Sequence, residues 1–269
     1  LMDSCIQRYE QVNHSVNAIV ETNFENALSV CRDVDDSFKQ RLTDEMFLPI
    51  PIGIKDLNDV AGMKTTYGSP LFKDNQVKND DDIVAHLKET SAIIFGKTNV
   101  PEHGFGATTT NPLQGSTGNP FNPSLSAGAS TGGGAAAVAA SIVPLATGSD
   151  FAGPLRTPAG FCGIAGMRPS NGVVATGRRS NIWSPFDVEG PMAKTAADCK
   201  LLLAHMAKPH PIDPFSKSLS DRLLQPAEEI DLNKLKVAIS HDLGFAIMSK
   251  SYEKTFYEKL EKLRHLFAN

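Results

Sequence analysis

The chain has 269 residues, of which 41% are hydrophobic and 21% charged, enough to bury the core of one large α/β domain or two smaller ones. The formal net charge of -4 and the dispersed Lys and Arg residues argue against a nucleic-acid partner. The four cysteines lie far apart, without a C-x-x-C pair or a His cluster, which predicts reduced, mostly buried thiols and no metal site.

The sequence also argues against a membrane protein. Charges within the first ten residues replace the apolar region of a signal peptide, and the run AAAVAASIVPLA is too short to span a bilayer. We therefore expect a cytoplasmic protein with no membrane partner. Leu1 at the start and an interrupted helical pattern at the end would fit trimmed boundaries.

The first half of the chain predicts alternating helices and strands. Apolar spacing over residues 2–38 predicts two helices packed as an N-terminal hairpin. The alternating Pro and Ile of LPIPIGIKD predict a short strand that ends near Lys55. An acidic-capped helix over about 82–90 and a buried strand, AIIFG, follow. The long Gly-, Asn- and Pro-rich loop that comes next is of a length that usually has a function.

The segment STGGGAAAVAASI predicts a fully buried helix whose glycine-rich N-terminus opens onto this loop, and VPLATGSD predicts a strand after it. Such an N-terminus would suit an anion or a developing oxyanion. The same glycines would also allow close helix packing and nothing more, so both interpretations stay open. A phosphate-binding loop fits poorly, because no Gly-Lys-Ser/Thr follows the glycines.

One long segment carries a family resemblance. GASTGGGAAAVAASIVPLATGSDFAGPLRTPAGFCGIAGMRPS resembles, nearly end to end, the signature segment of the amidase signature family of amide hydrolases. PIPIGIKDLNDVAGMKTTYGS, GKTNVPEHGFG and NPLQGSTGNPFNPSLSAGAS are similar to the family's lysine segment and to the loops before its signature. The resemblance extends from the N-terminal helices to about Gly244.

The resemblance implies one α/β domain over residues 1–269, with a mixed, twisted central β-sheet flanked by helices on both faces. Within it, residues 1–40 would form the N-terminal helices and 48–200 the signature core. Residues 201–269 would begin a C-terminal part that is incomplete, because family members usually continue well past this point. The fold would therefore be truncated at its C-terminal end.

The family uses a Ser–Ser–Lys catalytic triad, and two of its members match here. Lys55, in G-I-K-D, aligns with the lysine that acts as the base, and Ser130, in G-A-S-T-G-G, aligns with the bridging serine, usually held on a cis peptide bond. A serine hydroxyl is a weak nucleophile until a base takes its proton, and lysine can be that base only if burial keeps it neutral. The apolar residues around Lys55 favour this.

The third member departs from the family pattern. The family's nucleophile is the serine of T-D-x-G-G-S-x-R-x-P, and the matching segment here, SDFAGPLRTP, places Pro154 at that position. Ser149 and Ala152 depart from the pattern as well. The turn therefore resembles one that presents a hydroxyl, but the hydroxyl is absent.

The resemblance also assigns roles to the rest of this turn. The backbone N–H groups of Phe151, Ala152 and Gly153 correspond to the oxyanion hole, and Pro154 removes one further candidate donor because proline has no N–H. Asp150 and Arg156 are interpreted as residues that hold the loop, with direct catalysis as the alternative.

Other residues near the motif have competing interpretations. Ser130 is the best candidate for a relocated nucleophile, in which case Ser130→Ala would abolish any residual turnover. Cys162 is interpreted as a buried thiol and His103 as a solvated loop residue. Trp183 and Phe186 are interpreted as core aromatic residues, with a contact to the pocket as the alternative.

Together these observations predict a family protein related to hydrolases of carboxamide C–N bonds, with weak or lost activity because of Pro154. The alternatives are a non-catalytic binding or assembly protein that keeps the fold, and a degenerate glutamine-dependent amidotransferase subunit. The expected partner is a small amide-containing molecule, without nucleic acid, metal or organic cofactor, and homo-oligomerisation stays open. The sequence does not identify the substrate.

Overall fold

The computed structural model describes residues 1–41, 43–44, 46–177, 181–226 and 229–267. These residues form two compact units, Leu1–Gln225 and Pro226–Asn269. The interpretation of 1–269 as one domain stays a prediction. In the described part of the chain, no helix has the length and apolar character needed to cross a bilayer.

Ten strands occur among the described residues of the first unit. They are β1 (Ile19–Thr22), β2 (Pro51–Lys55), β3 (Ile93–Thr98), β4 (Thr110–Asn111), β5 (Gly115–Ser116), β6 (Gly118–Asn119), β7 (Asn122–Ser126), β8 (Leu145–Asp150), β9 (Ala165–Gly166) and β10 (Val188–Ala193). Six of them form one sheet in the order β1-β3-β2-β8-β10-β9, and β4–β5 and β6–β7 form two small hairpins. Strand β2 runs parallel to β3 and β8, whereas the other pairs are antiparallel. The predicted mixed sheet is confirmed.

Helices occur in both compact units. They are α1 (Met2–Val16), α2 (Phe24–Arg41), α3 (Asp82–Glu89), α4 (Gly132–Ala139), α5 (Arg156–Cys162), α6 (Ala196–Met206), α7 (Ser220–Leu224) and α8 (Lys250–Leu263). Short 3₁₀ helices occur at Pro70–Phe72, Glu102–Gly104, Leu232–Lys234 and Arg264–Leu266. The second unit contains α8 and the last two of these 3₁₀ helices.

The sheet separates two hydrophobic cores. Successive strand residues point to opposite faces, and neighbours such as Leu145 and Ala146, or Met192 and Ala193, accordingly belong to different clusters. One cluster includes residues of α1, α2 and α4, and the other includes residues of α3 and α6. Helices therefore cover both faces, as the sequence predicts.

The N-terminal segment differs from the predicted helical hairpin, because strand β1 lies between α1 and α2. Asn17 adopts a left-handed conformation (φ 47°) that ends α1. The Asn13 side chain then accepts the N–H groups of Ala18 and Ile19, at 3.1 and 2.9 Å. The released chain pairs antiparallel with β3. Helical spacing of apolar residues could not reveal this long-range pairing.

Helix α4 is buried on every side and lies close to neighbouring backbone, as its Gly and Ala residues predict. A Cβ on Gly133 would come within 2.3 Å of Asn99 N, 2.5 Å of Asn99 O and 2.8 Å of Ala18 O. Only glycine permits this approach, which fixes the N-terminal end of α4 against the sheet. The two residues before α4, Ser130 and Thr131, are positioned by the same packing.

Candidate active site

Lys55 ends strand β2 and its side chain is fully buried. Its Nζ lies 2.9 Å from each of three hydroxyl oxygens, Ser130 Oγ, Thr131 Oγ1 and Ser149 Oγ. A lysine ammonium has three N–H donors and no acceptor. The three hydroxyls, which we call the hydroxyl tripod, therefore match a protonated Lys55.

The fold explains how these residues meet. Strands β2 and β8 are parallel neighbours, so their carboxyl ends lie at the same edge of the sheet and bring Lys55 close to Ser149. Ser130 and Thr131 come from the segment that leads into α4, and the Ala129–Ser130 peptide bond is cis. Three separate segments thus converge on one buried amine.

The environment of Lys55 sets its charge. Burial lowers the pKa of Lys55 from 10.5 to about 8, and the carboxylates of Glu189, Asp187 and Asp150 oppose this shift. At neutral pH the ammonium form still predominates. The neutral amine that general-base chemistry needs becomes the major form above about pH 8.

Asp150, the last residue of β8, organises the turn that follows. Its buried carboxylate accepts the N–H groups of Gly153 at 2.7 Å and Leu155 at 3.3 Å. Arg156 binds it with Nε at 3.0 Å and Nη2 at 3.1 Å, and Arg168 Nε lies 3.3 Å away. Although burial acts in the other direction, these bonds hold the pKa of Asp150 below its usual value. This geometry supports the interpretation of Asp150 and Arg156 as loop-holding residues.

Pro154 lies half-buried inside this turn and offers neither a hydroxyl nor an N–H. The Gly153 N–H donates to Asp150, whereas the N–H groups of Phe151 and Ala152, both exposed, have no acceptor among the described residues. Two of the three predicted oxyanion donors therefore stay free of internal bonds. The assignment of an oxyanion hole stays a prediction.

The sequence patterns did not predict Glu189 as a residue of this site. Glu189 lies on β10 directly opposite Ser149 of β8, and its Oε1 lies 3.4 Å from Asn58 Nδ2. Its Oε2 is buried and has no hydrogen-bond partner within the described residues. Burial, reinforced by Asp187, raises the pKa of Glu189 to about 7. A single charged residue within the otherwise apolar strand VEGPMA was the pattern that could have revealed it.

A second buried lysine, Lys97, lies on strand β3, next to the strand that carries Lys55. Lys97 Nζ on β3 lies 2.7 Å from Asp56 Oδ1 and 2.9 Å from Thr65 Oγ1. Both charged side chains are almost completely buried. The direct ion pair explains this burial, and it anchors Asp56, the residue after Lys55, to the strand beside it.

The remaining sequence interpretations have mixed outcomes. Cys162 is buried, as predicted, and burial raises the pKa of its thiol to about 12. Trp183 and Phe186 are 71% and 58% exposed, so their interpretation as core residues was wrong. The segment that carries them borders the turn instead, because the Phe186 ring lies 5.8 Å from that of Phe151. Among the described residues, no group of three or more His, Cys, Asp or Glu side chains could hold a metal ion.

The family model of the amidases matches residues 1–268. The chain belongs to the amidase signature family. An acylamidase from Rhodococcus erythropolis is 38% identical over 91% of this chain and 51% of its own length. A glutamyl-tRNA(Gln) amidotransferase subunit from Bacillus velezensis is 30% identical over 100% of this chain and 55% of its own length. The chain thus spans about half the length of the curated relatives it matches.

Solved structures agree with this family membership. Native peptide amidase from Stenotrophomonas maltophilia matches 80% of this chain and 45% of its own, with a TM-score of 0.71 and 28% identity. A crystal structure of an amidase matches 100% of this chain and 58% of its own, with a TM-score of 0.80 and 27% identity. Both solved chains are longer than this one, since the matches cover 45% and 58% of their lengths.

Proposed function

We propose that this amidase signature protein binds a small carboxamide at the Lys55 site and hydrolyses its C–N bond weakly or not at all. The observation that carries the proposal is Pro154, in the turn that follows β8, where the family motif has its serine nucleophile. The hydrogen-bonding contact between Lys55 and Ser130 supports a role for this pair in proton transfer.

The expected reductions in rate are large enough to favour a loss of turnover over a small decrease. Removal of one oxyanion donor reduces the rate by about 10²–10³-fold. Removal of a serine nucleophile that acts together with its base has reduced turnover by about 10⁶-fold in another hydrolase. Pro154 lacks the hydroxyl and the N–H together, so both losses apply at one residue.

Hydrolysis without a serine at position 154 would require another residue to act as the nucleophile. Lys55 contacts Ser130, Thr131 and Ser149 at the same distance, so each hydroxyl is within reach of the base. Ser130 remains the preferred candidate, and Ser130→Ala would then abolish the residual turnover. Turnover that survives in this variant would exclude Ser130.

The relatives suggest two chemical settings for the site. The acylamidase relative favours a simple carboxamide ligand, whereas the amidotransferase relatives favour a degenerate subunit related to glutamine-dependent amidotransferases. A non-catalytic binding or assembly role would use the same site. A cytoplasmic location and a homo-oligomeric state stay predictions.

Active-site labelling tests the proposal. The native chain, Pro154→Ser and Pro154→Ala are incubated with a fluorophosphonate probe and their intact masses are measured. We expect labelling of Pro154→Ser alone, because it restores the hydroxyl, whereas Pro154→Ala restores only the N–H. The double variant Lys55→Met/Pro154→Ser should lose the label if Lys55 is the base.

Each other outcome contradicts part of the proposal. Labelling of the native chain would show a relocated nucleophile, which peptide mapping would identify. An unlabelled but folded Pro154→Ser chain would show that Lys55 and Ser130 no longer form working catalytic machinery. Small carboxamides should also slow the labelling of Pro154→Ser, and no slowing at millimolar concentration would count against amide binding.

A further inference from the structure

The carboxyl group of Glu189 is not part of the Ser–Ser–Lys triad, yet Glu189 lies beside the hydroxyl tripod. In the antiparallel pair β8–β10, Glu189 is directly opposite Ser149. Side chains of directly opposed residues share a face of the sheet, with Cβ atoms about 4.5–5.5 Å apart. Since Ser149 Oγ lies 2.9 Å from Lys55 Nζ, Glu189 is placed next to the hydroxyl tripod.

The bonding of Glu189 is incomplete for a structural carboxylate. Its single hydrogen bond to a described residue is a long one, 3.4 Å from Asn58 Nδ2, and that amide group also lies 3.4 Å from Asp81 Oδ2. Its Oε2 is buried without a donor in the described structure. A buried acceptor without a hydrogen-bond donor destabilises the fold. Fold stability alone would therefore favour an apolar residue at this position.

We propose that Glu189 is a further functional residue of this site, which acts through Lys55: its negative charge stabilises the lysine ammonium and delays formation of the neutral base to higher pH. The inference deepens the proposed function, because it concerns the same base. Its test depends neither on reaction with the fluorophosphonate probe nor on turnover.

The surrounding charges support this role. The charged groups that act on Lys55 are Glu189, Asp187 and Asp150, and those that act on Glu189 are Asp187, Lys55 and Asp81. Asp150 is already neutralised by Arg156 and Arg168. Glu189 is the strongest electrostatic influence that favours the ammonium. Its own pKa of about 7 lies close to that of Lys55, so the two groups titrate as a coupled pair.

The test measures the ionisation of Lys55 directly. The protein is labelled with ¹³Cε-lysine, the Lys55 resonance is assigned with Lys55→Met, and its chemical shift is followed from pH 5 to 10 in the native chain and in Glu189→Gln. We expect the Lys55 midpoint to fall by about one pH unit in Glu189→Gln, because a neighbouring opposite charge has been removed. Glu189→Asp, which keeps the charge, should restore most of the shift.

The controls separate charge from packing. Glu10→Gln makes the same chemical change at an exposed position of α1 and should leave the Lys55 midpoint unchanged. An unchanged or raised midpoint in Glu189→Gln would overturn the inference. If Glu189→Gln fails to fold, the native titration decides, because Glu189 should add a second inflection near pH 7 to the Lys55 curve. A Lys55 titration curve without this second inflection near pH 7 would also overturn the inference.

Discussion

At the residue scale, the site consists of a buried cation that the chain accommodates with neutral partners. The hydroxyls of Ser130, Thr131 and Ser149 accept from Lys55, but none of them compensates its charge. Burial of an ammonium without a directly bonded carboxylate is unfavourable, which is why its pKa falls. Lys97 differs in having a directly bonded carboxylate, that of Asp56, although burial lowers the pKa of Lys97 as well.

The lowered pKa of Lys55 predicts how stability depends on pH. The unfolded chain keeps this proton up to about pH 10.5, and the folded chain keeps it only up to about pH 8. Between these values the unfolded state binds more protons, so the free energy of unfolding rises with pH. The destabilisation is therefore complete below pH 8 and is relieved towards pH 10.5.

Lys55→Met should remove this pH dependence. Relative to the variant, the native chain should gain about 2 kcal/mol of stability between pH 7.5 and 9.5. Urea unfolding of both chains at the two pH values measures the gain, and the titrating groups that do not interact with Lys55 cancel in the difference. An equal response of both chains to pH would show that the folded-state pKa of Lys55 is ordinary.

At the element scale, α4 determines whether the site forms, because its N-terminal end positions two hydroxyls of the tripod. Gly133 lets this helix approach the backbone at Asn99 and Ala18. The contacted atoms are backbone atoms, which cannot move aside as a flexible side chain would. A methyl group at this position would displace the helix, and Ser130 with it.

Gly133→Ala should therefore destabilise the fold by about 3 kcal/mol or more, through overpacking. The matched control is Gly160→Ala in α5, where a Cβ would meet nothing within 4 Å. That change should be neutral or stabilising by about 0.5–1 kcal/mol, since alanine favours helix. Denaturant melts of both variants provide the measurement. Equal stability of the two variants would refute the packing argument.

Local sequence patterns predicted most helices and strands. Features that depend on pairing between strands far apart in the sequence were not predicted. The helix at 82–90, the strands around Lys55 and AIIFG, and the buried helix α4 could all be inferred from periodicity and composition. Strand β1 was missed because it is held by β3, far along the chain. Glu189 was missed for the same reason, since only the β8–β10 register brings it to Ser149.

At the scale of the whole molecule, the two compact units differ in how much surface they bury. The site and both hydrophobic cores belong to Leu1–Gln225. Between Leu235 and Ile247, in the second unit, six large apolar side chains are exposed: Leu235, Val237, Ile239, Leu243, Phe245 and Ile247. Residues 235–240 have no regular secondary structure. The second unit therefore has little burial of its own to resist opening.

Limited proteolysis should reveal this difference. We expect trypsin and chymotrypsin to cut first within residues 235–249, at positions such as Lys236 and Phe245, and to leave the first unit intact for longer. Mass spectrometry of the early fragments identifies the cuts. Initial cleavage inside 46–177 would show that the first unit is the less stable one.

The three hydroxyls around the buried Lys55 ammonium influence which residues are kept during evolution, as well as the chemistry of the site. A substitution that removes one of them leaves an N–H of a buried cation without an acceptor, which weakens the fold whether or not any substrate is turned over. As long as Lys55 is present, selection for a folded protein alone can therefore preserve Ser130 through generations in which catalysis is not selected. The Lys55–Ser130 pair is then evidence of ancestry, and under the proposed function the residue at position 154 is the better guide to activity.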